Sequence, residues 1–228
     1  MAKSLIILGT SGLAREMAQL ALAIDPLGDR WDLFGFIGDS TASPGTKIGR
    51  STVLGDDAWL LNGDLKADVV LGIGYPQVRS RVLEPYLAQR DRFVFPNLVH
   101  PHAILTPADV ELGEGNCVAA GAIFTCDIQV GAFNLFNYAV TIGHDARVGS
   151  FDVVNPAASI GGWVEIGDRV LVGTGAQVLQ HLTLGPDATV GAGAVVTRDV
   201  GAGVTVVGVP ARPMARDRGV QAQPWSRS

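Results

Sequence analysis

Lysine is nearly missing from this 228-residue chain: only Lys3, Lys47 and Lys66 stand among its 17 basic residues. No basic block forms and the net charge is −5, so a nucleic-acid partner is not expected. Long apolar runs are lacking as well. The longest are short or broken by glycine, which excludes a transmembrane helix and predicts no membrane partner. Cysteine occurs only at Cys117 and Cys126. Two thiols make no disulfide framework in a chain of this length, so a reducing, cytoplasmic setting is expected. Only four residues precede the first apolar run, too few for a signal peptide. With four histidines, metal chemistry has little to draw on.

Glycine and apolar residues fill that space: 29 glycines and 47% hydrophobic residues. Their arrangement is periodic. From Leu112, every sixth residue is large and apolar: Val118, Phe124, Val130, Phe136, Ile142, Val148, Val154, Ile160, Ile166, Val172, Val178, Leu184, Val190 and Val196. Glycine follows many of them directly, as at Gly113, Gly143 and Gly161. Ala or Val often sits four places on, as at Ala146, Ala158 and Val170. Such a repeat means one inward side chain per short strand, then a turn. Three strands close an eighteen-residue triangular coil, and stacked coils bury a continuous core. Residues 112–203 therefore read as a parallel β-helix of about five coils, with small residues easing each corner.

Residues 1–96 carry a different pattern. Strands are expected at Lys3–Leu8, Leu33–Ile37, Val69–Ile73 and Phe93–Phe95. Helices are expected at Leu13–Ile24, where apolar residues recur at helical spacing, and at Val78–Gln89, with a kink or break at Pro85. This alternation predicts a small Rossmann-like parallel sheet. Residues 97–111 read as a junction, and 204–228 as a C-terminal loop and tail that is loose from Gln221 onward.

Three features of the first domain converge on one sheet edge. Gly9-Thr10-Ser11-Gly12 joins strand to helix, where free amides suit a phosphate. The glycine pattern falls short of the dinucleotide fingerprint. A tight turn without a ligand explains this motif alone equally well. Asp39 follows the second strand and Gly72-Ile73-Gly74 closes the third, the edge at which open sheets bind ligands.

In the repeat domain His144 lies two places after inward Ile142 and so points outward. Stacking at eighteen residues puts Cys126, His144, Gly162, Gln180 and Arg198 in one column. Gly162 offers space and a backbone amide beside the imidazole. Arg198, three coils on, is roughly 14 Å away at the usual strand spacing, a span that suits a long acyl thioester. Asp145 can orient His144 or raise its basicity. Cys126 is the rival nucleophile, although inert thiols are commoner. His181 reads as a surface or interface residue, and His100 and His102 as structural. No zinc site is supported, since only His144 and His181 fall in the repeats.

These residues resemble a known family. Gly9-Thr10-Ser11-Gly12, Val99-His100-Pro101, Thr141-Ile142-Gly143-His144-Asp145, Gly191-Ala192-Gly193-Ala194-Val195-Val196 and Gly208-Val209-Pro210-Ala211-Arg212 are similar to the two-domain hexapeptide-repeat sugar acyltransferases, the sialic acid O-acetyltransferase family. Its relatives include N-acetyltransferases of nucleotide-linked 4-amino sugars. The resemblance implies a left-handed coil, although ordinary crossovers are right-handed. It implies His144 as general base assisted by Asp145, and Asn137 as an acceptor contact. Gly162, Gln180, Arg198 and Ala192 become cofactor-binding candidates. Gly9, Ser11, Gly12, Asp39 and Gly72-Ile73-Gly74 become the nucleotide-sugar pocket. It further implies a homotrimer with coenzyme A between neighbouring prisms. One departure stands out: some amino-sugar relatives carry a second histidine nine places after the base, and here that residue is Val153.

The expected activity is transfer of an acetyl group from acetyl-CoA, without a metal, to an amine or hydroxyl of a sugar, and the N-terminal domain points to a nucleotide-activated one. The competing readings are a non-catalytic, trimeric nucleotide-sugar-binding module and a serine or maltose acetyltransferase. The N-terminal glycine-loop domain argues against the latter.

Overall fold

The structure is a computed structural model that describes residues 2–39 and 42–214. Within these the chain forms two compact units, residues 2–74 with 78–98, and residues 75–77 with 99–214. The expected loose end from Gln221 lies outside the described residues.

The first unit is a six-stranded sheet. Its elements are β1 (Lys3–Leu8), α1 (Gly12–Ile24), β2 (Trp31–Gly38), β3 (Lys47–Ile48), β4 (Ser51–Asp56), α2 (Asp57–Asn62), β5 (Ala67–Leu71), α3 (Pro76–Leu87) and β6 (Phe93–Val94). The strand order is β3-β4-β2-β1-β5-β6. All neighbours are parallel except the β3–β4 hairpin. Leu5, Ile6, Ile7 and Leu8 are all buried, as a central parallel strand covered on both faces requires. The segment 47–62 was not expected as hairpin and helix. Its cues are local: the Gly49-Arg50 connection, with Gly49 at φ +59°, and the Asp56 carboxylate accepting from Trp59 N–H at 2.9 Å, which caps α2. The expected break at Pro85 does not occur, because α3 runs through it to Leu87. Pro85 sits in the last turn, and the carbonyl it leaves free belongs to Arg81, on an exposed residue.

The second unit is the prism. Its strands form three sheets in which the strands of the repeat run parallel and pair with those eighteen places on, as Thr141 with Ser159 and Arg147 with Glu165, with one antiparallel pair at the C-terminal edge, Thr205–Val207 with Arg212–Pro213. The register residues from Val118 to Val196 are all buried. So are Ala122, Ala146, Ala158, Val170, Ala176 and Ala188, four places after them. These small residues do not ease the corner, as expected; they point inward and fill the core. The bend is made one place earlier, at a residue with positive φ. Asp127, Phe133, Ala139, Asp145, Phe151, Ala157, Trp163, Arg169, His181 and Asp187 all lie there, at φ 55–64°. A left-handed backbone costs roughly 1–2 kcal/mol per non-glycine residue. A repeated hydrogen bond offsets it: the bend amide donates to a carbonyl on the preceding coil, as Asp145 to Cys126, Trp163 to His144 and His181 to Gly162. The glycine after each register residue has its own cause. A Cβ at Gly113, Gly143 or Gly173 would lie 2.4–2.6 Å from backbone of the next coil.

One stretch of the interior is polar. Asn116 and Asn134 are fully buried. Each side-chain amide donates to a glycine carbonyl of the next coil, Gly131 and Gly149, at 2.9 Å. Asn116 Oδ1 accepts from Asn134 N–H, and Asn134 Oδ1 from Asp152 N–H. The ladder ties successive coils where they turn.

The coil extends past both ends of the repeat. Leu98–Val99 joins the sheet edge beside Cys117–Val118, and Ile104 bridges Ile123. At the other end Thr205–Val207 pairs with Thr189–Val190 at an offset of sixteen, and Val200 bridges Leu184 at the same offset. The last coil is two residues short.

Candidate active site on the prism edge

His144 stands at the edge following strand Thr141–Ile142. Inward Ile142 is fully buried, and Gly143 carries the chain tightly over the next coil. The His144 side chain is then displayed outward, 56% exposed. Its Nδ1 lies 2.8 Å from Asp145 Oδ2. Asp145 holds that position because it is itself the bend residue, at φ +58°, its amide tied to Cys126 O at 3.1 Å. An aspartate that takes Nδ1–H fixes the tautomer and leaves Nε2 with a free lone pair.

Gly162 lies directly against the ring. A Cβ there would sit 2.7 Å from both His144 Cε1 and Nε2, so any side chain would displace the imidazole. The Gly162 N–H makes no backbone hydrogen bond among the described residues, so the residue against the ring also carries a backbone donor. Gln180 continues the column and is exposed. Arg198 follows Val196, which still pairs with Val178 at eighteen residues, and precedes Val200, which bridges Leu184 at sixteen. Asp199 Oδ1 there accepts from Thr183 N–H at 2.8 Å. Arg198 is exposed in this tightened corner.

Asn137 and Ala192 are not brought to His144 in the single chain. They follow strands Leu135–Phe136 and Thr189–Val190 of another sheet, on a different prism edge. Asn137 is buried and accepts from Tyr138 N–H through Oδ1. Val153 is fully buried.

Cys126 is exposed, but burial of its sulfur and then the carboxylates of Asp127, Asp145 and Asp109 push its thiol pKa up. A protonated thiol among carboxylates is a poor nucleophile. Trp163 was overlooked in the sequence. It is half exposed, meets His144 edge-on with centroids 6.5 Å apart, and stacks on His181 at 6.1 Å. Its signal was its position nineteen after His144, the bend site of the next coil. His100 and His102 lie edge to face. Burial, with His102 beside it, lowers the His100 pKa.

In the first unit, the candidate pocket residues do gather at the carboxyl ends of β1, β2 and β5. Gly9 N–H donates to Ile37 O at 2.7 Å and Gly72 N–H to Leu8 O at 2.8 Å. β1 lies between β2 and β5, so the chain's path reverses there, where open α/β sheets bind ligands. Gly9 has φ +118°, and a Cβ on it would meet Gly72 O at 2.8 Å. Gly72 itself packs on Ala14, whose Cα a Cβ would approach to 2.6 Å. Gly9, Gly72 and Ile73 are thus buried parts of the frame, whereas Thr10, Ser11, Gly12, Asp39 and Gly74 reach the surface. Buried Arg79 on α3 donates to Ile73 O at 2.7 Å and braces the loop, a role the sequence did not announce. Ser11 is the N-cap of α1 without a side-chain cap bond.

Among the described residues no group of His, Cys, Asp and Glu is arranged to hold a metal, and no helix is long and apolar enough to cross a membrane.

Comparison with known proteins follows the same two-part division. Residues 4–86 match the family model of the PglD N-terminal domain. No curated protein sequence matches the chain. Among solved structures, the chain is similar to PerB from Caulobacter crescentus in complex with CoA and GDP-perosamine, at 30% identity and a TM-score of 0.81, covering 93% of this chain and 97% of that one. The acetyltransferase domain of PglB from Neisseria gonorrhoeae matches at 30% identity and 0.83, over 93% and 100% of the two chains. WeeI from Acinetobacter baumannii matches at 28% and 0.79, over 92% and 99%. None of these three is named as a sialic acid O-acetyltransferase, and that branch of the expected family is not confirmed. With a left-handed hexapeptide prism behind a Rossmann-like domain, and 30% identity over nearly the full length of two such proteins, the chain belongs to the two-domain sugar acetyltransferases.

Proposed function

We propose that the protein moves an acetyl group from acetyl-CoA to the amine of a nucleotide-linked amino sugar, with His144 as general base. The observation that carries this is the placement of one imidazole. Its Nδ1 is held by Asp145, and its Nε2 lies over the side-chain-free surface of Gly162. The acceptor amine attacks the thioester carbonyl carbon as Nε2 takes its proton. The backbone donor of Gly162, the residue that lies against the imidazole, suits the developing oxyanion. On collapse the C–S bond breaks, and His144 returns the proton to the leaving thiolate. General-base help of this kind contributes about 10²–10⁴-fold.

Relatives support the finer points. The PglB domain is also known in complex with acetyl coenzyme A, and PerB in complex with GDP-perosamine. A diphosphate suits the amides of Gly12 and its neighbours at the start of α1, and Asp39 offers a carboxylate to a ribose or base. We read the working form as a homotrimer. A neighbouring prism would bring an edge carrying Asn137 and Ala192 toward an edge carrying His144, groups that one chain keeps apart.

The test is thiol release from acetyl-CoA with a panel of UDP-, GDP- and dTDP-linked 4-amino sugars and their 4-hydroxy counterparts. Release with an amino sugar, and mass spectrometry showing an N-acetyl product, is the expected result. Binding of the sugar nucleotides without thiol release would leave only a binding module, and O-acetylation alone would overturn the choice of amine.

A further inference from the structure

Trp163 occupies a costly position for little return in burial. At the bend sites, Phe133 and Phe151 also carry aromatic rings at positive φ. Those two stack on each other at 5.2 Å, and Phe133 is 4% exposed. Trp163 has φ +59° and remains 51% exposed. The bend φ is common to every coil, so what sets Trp163 apart is a large aromatic side chain left half exposed beside His144, which points to a use for that side chain.

The surroundings say what use. His181, on the following coil, stacks on one face of the indole. Trp163 also lines a cavity whose other walls come from earlier coils, among them Asp109, Glu111, Asp127, Asp145 and Arg147. The cavity thus sets the indole beside carboxylates and a guanidinium, and Asp145 there is the residue that holds His144. A flat aromatic face ringed by hydrogen-bonding groups suits a pyranose ring, whose C–H face stacks while its hydroxyls bond sideways. Four carboxylates against one guanidinium disfavour a diphosphate in this cavity, that of the acyl donor and that of the acceptor's nucleotide alike. They favour a neutral or cationic sugar.

We infer that Trp163 is a specificity-determining residue: it forms the stacking wall of the acceptor-sugar subsite, against which the pyranose rests while its amine reaches His144. The inference rests on the acetyl-transfer reading above. Imidazole and indole centroids are 6.5 Å apart, so a ring resting against the indole lies beside the imidazole.

Trp163→Gly and Trp163→Phe in the full chain provide the test, with GDP-perosamine and the best acceptor of the panel as probes. Glycine relieves the backbone strain, so thermal stability is expected to hold or rise. The acceptor KM is expected to rise about tenfold, with the acetyl-CoA KM unchanged. Phenylalanine is expected to restore most of the acceptor affinity. An unchanged acceptor KM, or a parallel rise in the acetyl-CoA KM, overturns the subsite. So does a fall in stability or in oligomeric mass in the glycine variant, which would make Trp163 a packing or interface residue. If the unaltered protein transfers acetyl to no panel member, the functional reading itself fails, a result distinct from failure at Trp163 alone.

Discussion

The two units use glycine in opposite ways at their candidate sites. In the N-terminal sheet Gly9 is part of the frame. Its φ of +118° and the carbonyl of Gly72 at 2.8 Å from its missing Cβ are both backbone matters. In the prism Gly162 is part of the opening. No positive φ constrains it, and the nearest obstruction to a side chain is the His144 imidazole. The repeat lattice uses other glycines, such as Gly143, to pass one coil over the next, and leaves Gly162 to serve the chemistry. The sheet edge has no such lattice, and its glycines are spent on closing the turn.

Adding one methyl group to each glycine separates the two roles. Gly162→Ala is expected to keep its fold and lose about 10²-fold in turnover, or about 2.7 kcal/mol of transition-state stabilisation, since the methyl displaces the base and covers the amide donor. Chemical denaturation alongside steady-state kinetics measures both. Gly9→Ala is expected to lose about 2 kcal/mol of stability, read as a lower unfolding midpoint. If Gly162→Ala unfolds while Gly9→Ala stays stable, the contrast is wrong.

How much of this was legible in advance follows the same divide. The hexad spacing located His144 on an outer edge and placed Gly162 beneath it, because a parallel coil converts sequence distance into spatial distance with little error. That conversion is less direct where the coil length changes, as past Val196, where the last coil has two residues fewer. Trp163 stayed hidden because the repeat marks inward positions strongly and bend positions only by φ, which composition does not reveal. In the sheet, β1 and α1 were readable from apolar patterning. The β3–β4 hairpin and α2 were not, since their signals are a two-residue turn and one capping aspartate. Arg79, buried and bound to Ile73 O, left no trace in the pattern at all.

Two smaller effects sharpen the picture of the prism as a scaffold. Arg169 and Asp187, eighteen residues apart, form a two-pronged ion pair at 2.8 Å. The hydrogen bond from the Arg169 guanidinium is the main cause lowering the Asp187 pKa. A carboxylate with a depressed folded pKa stabilises the fold above its unfolded value, about 3.8, and loses that contribution as pH falls through the folded value. Asp187→Asn is expected to cost no more than about 1 kcal/mol at neutral pH, because the pair is partly exposed, and to cost nothing in strong acid. Unfolding midpoints at several pH values report this. Cys126→Ser is expected to leave turnover unchanged, and alkylation of Cys126 should accelerate only above the ordinary thiol range, since its pKa is raised. Loss of turnover in that variant would restore the covalent route.

The most direct measurement is acetyl transfer by His144→Ala, paired with coenzyme A binding by calorimetry on the same protein. The account predicts a fall in kcat of about 10²–10⁴-fold with coenzyme A affinity retained. Turnover near that of the unaltered protein would contradict it, because no other side chain then stands where the base must be.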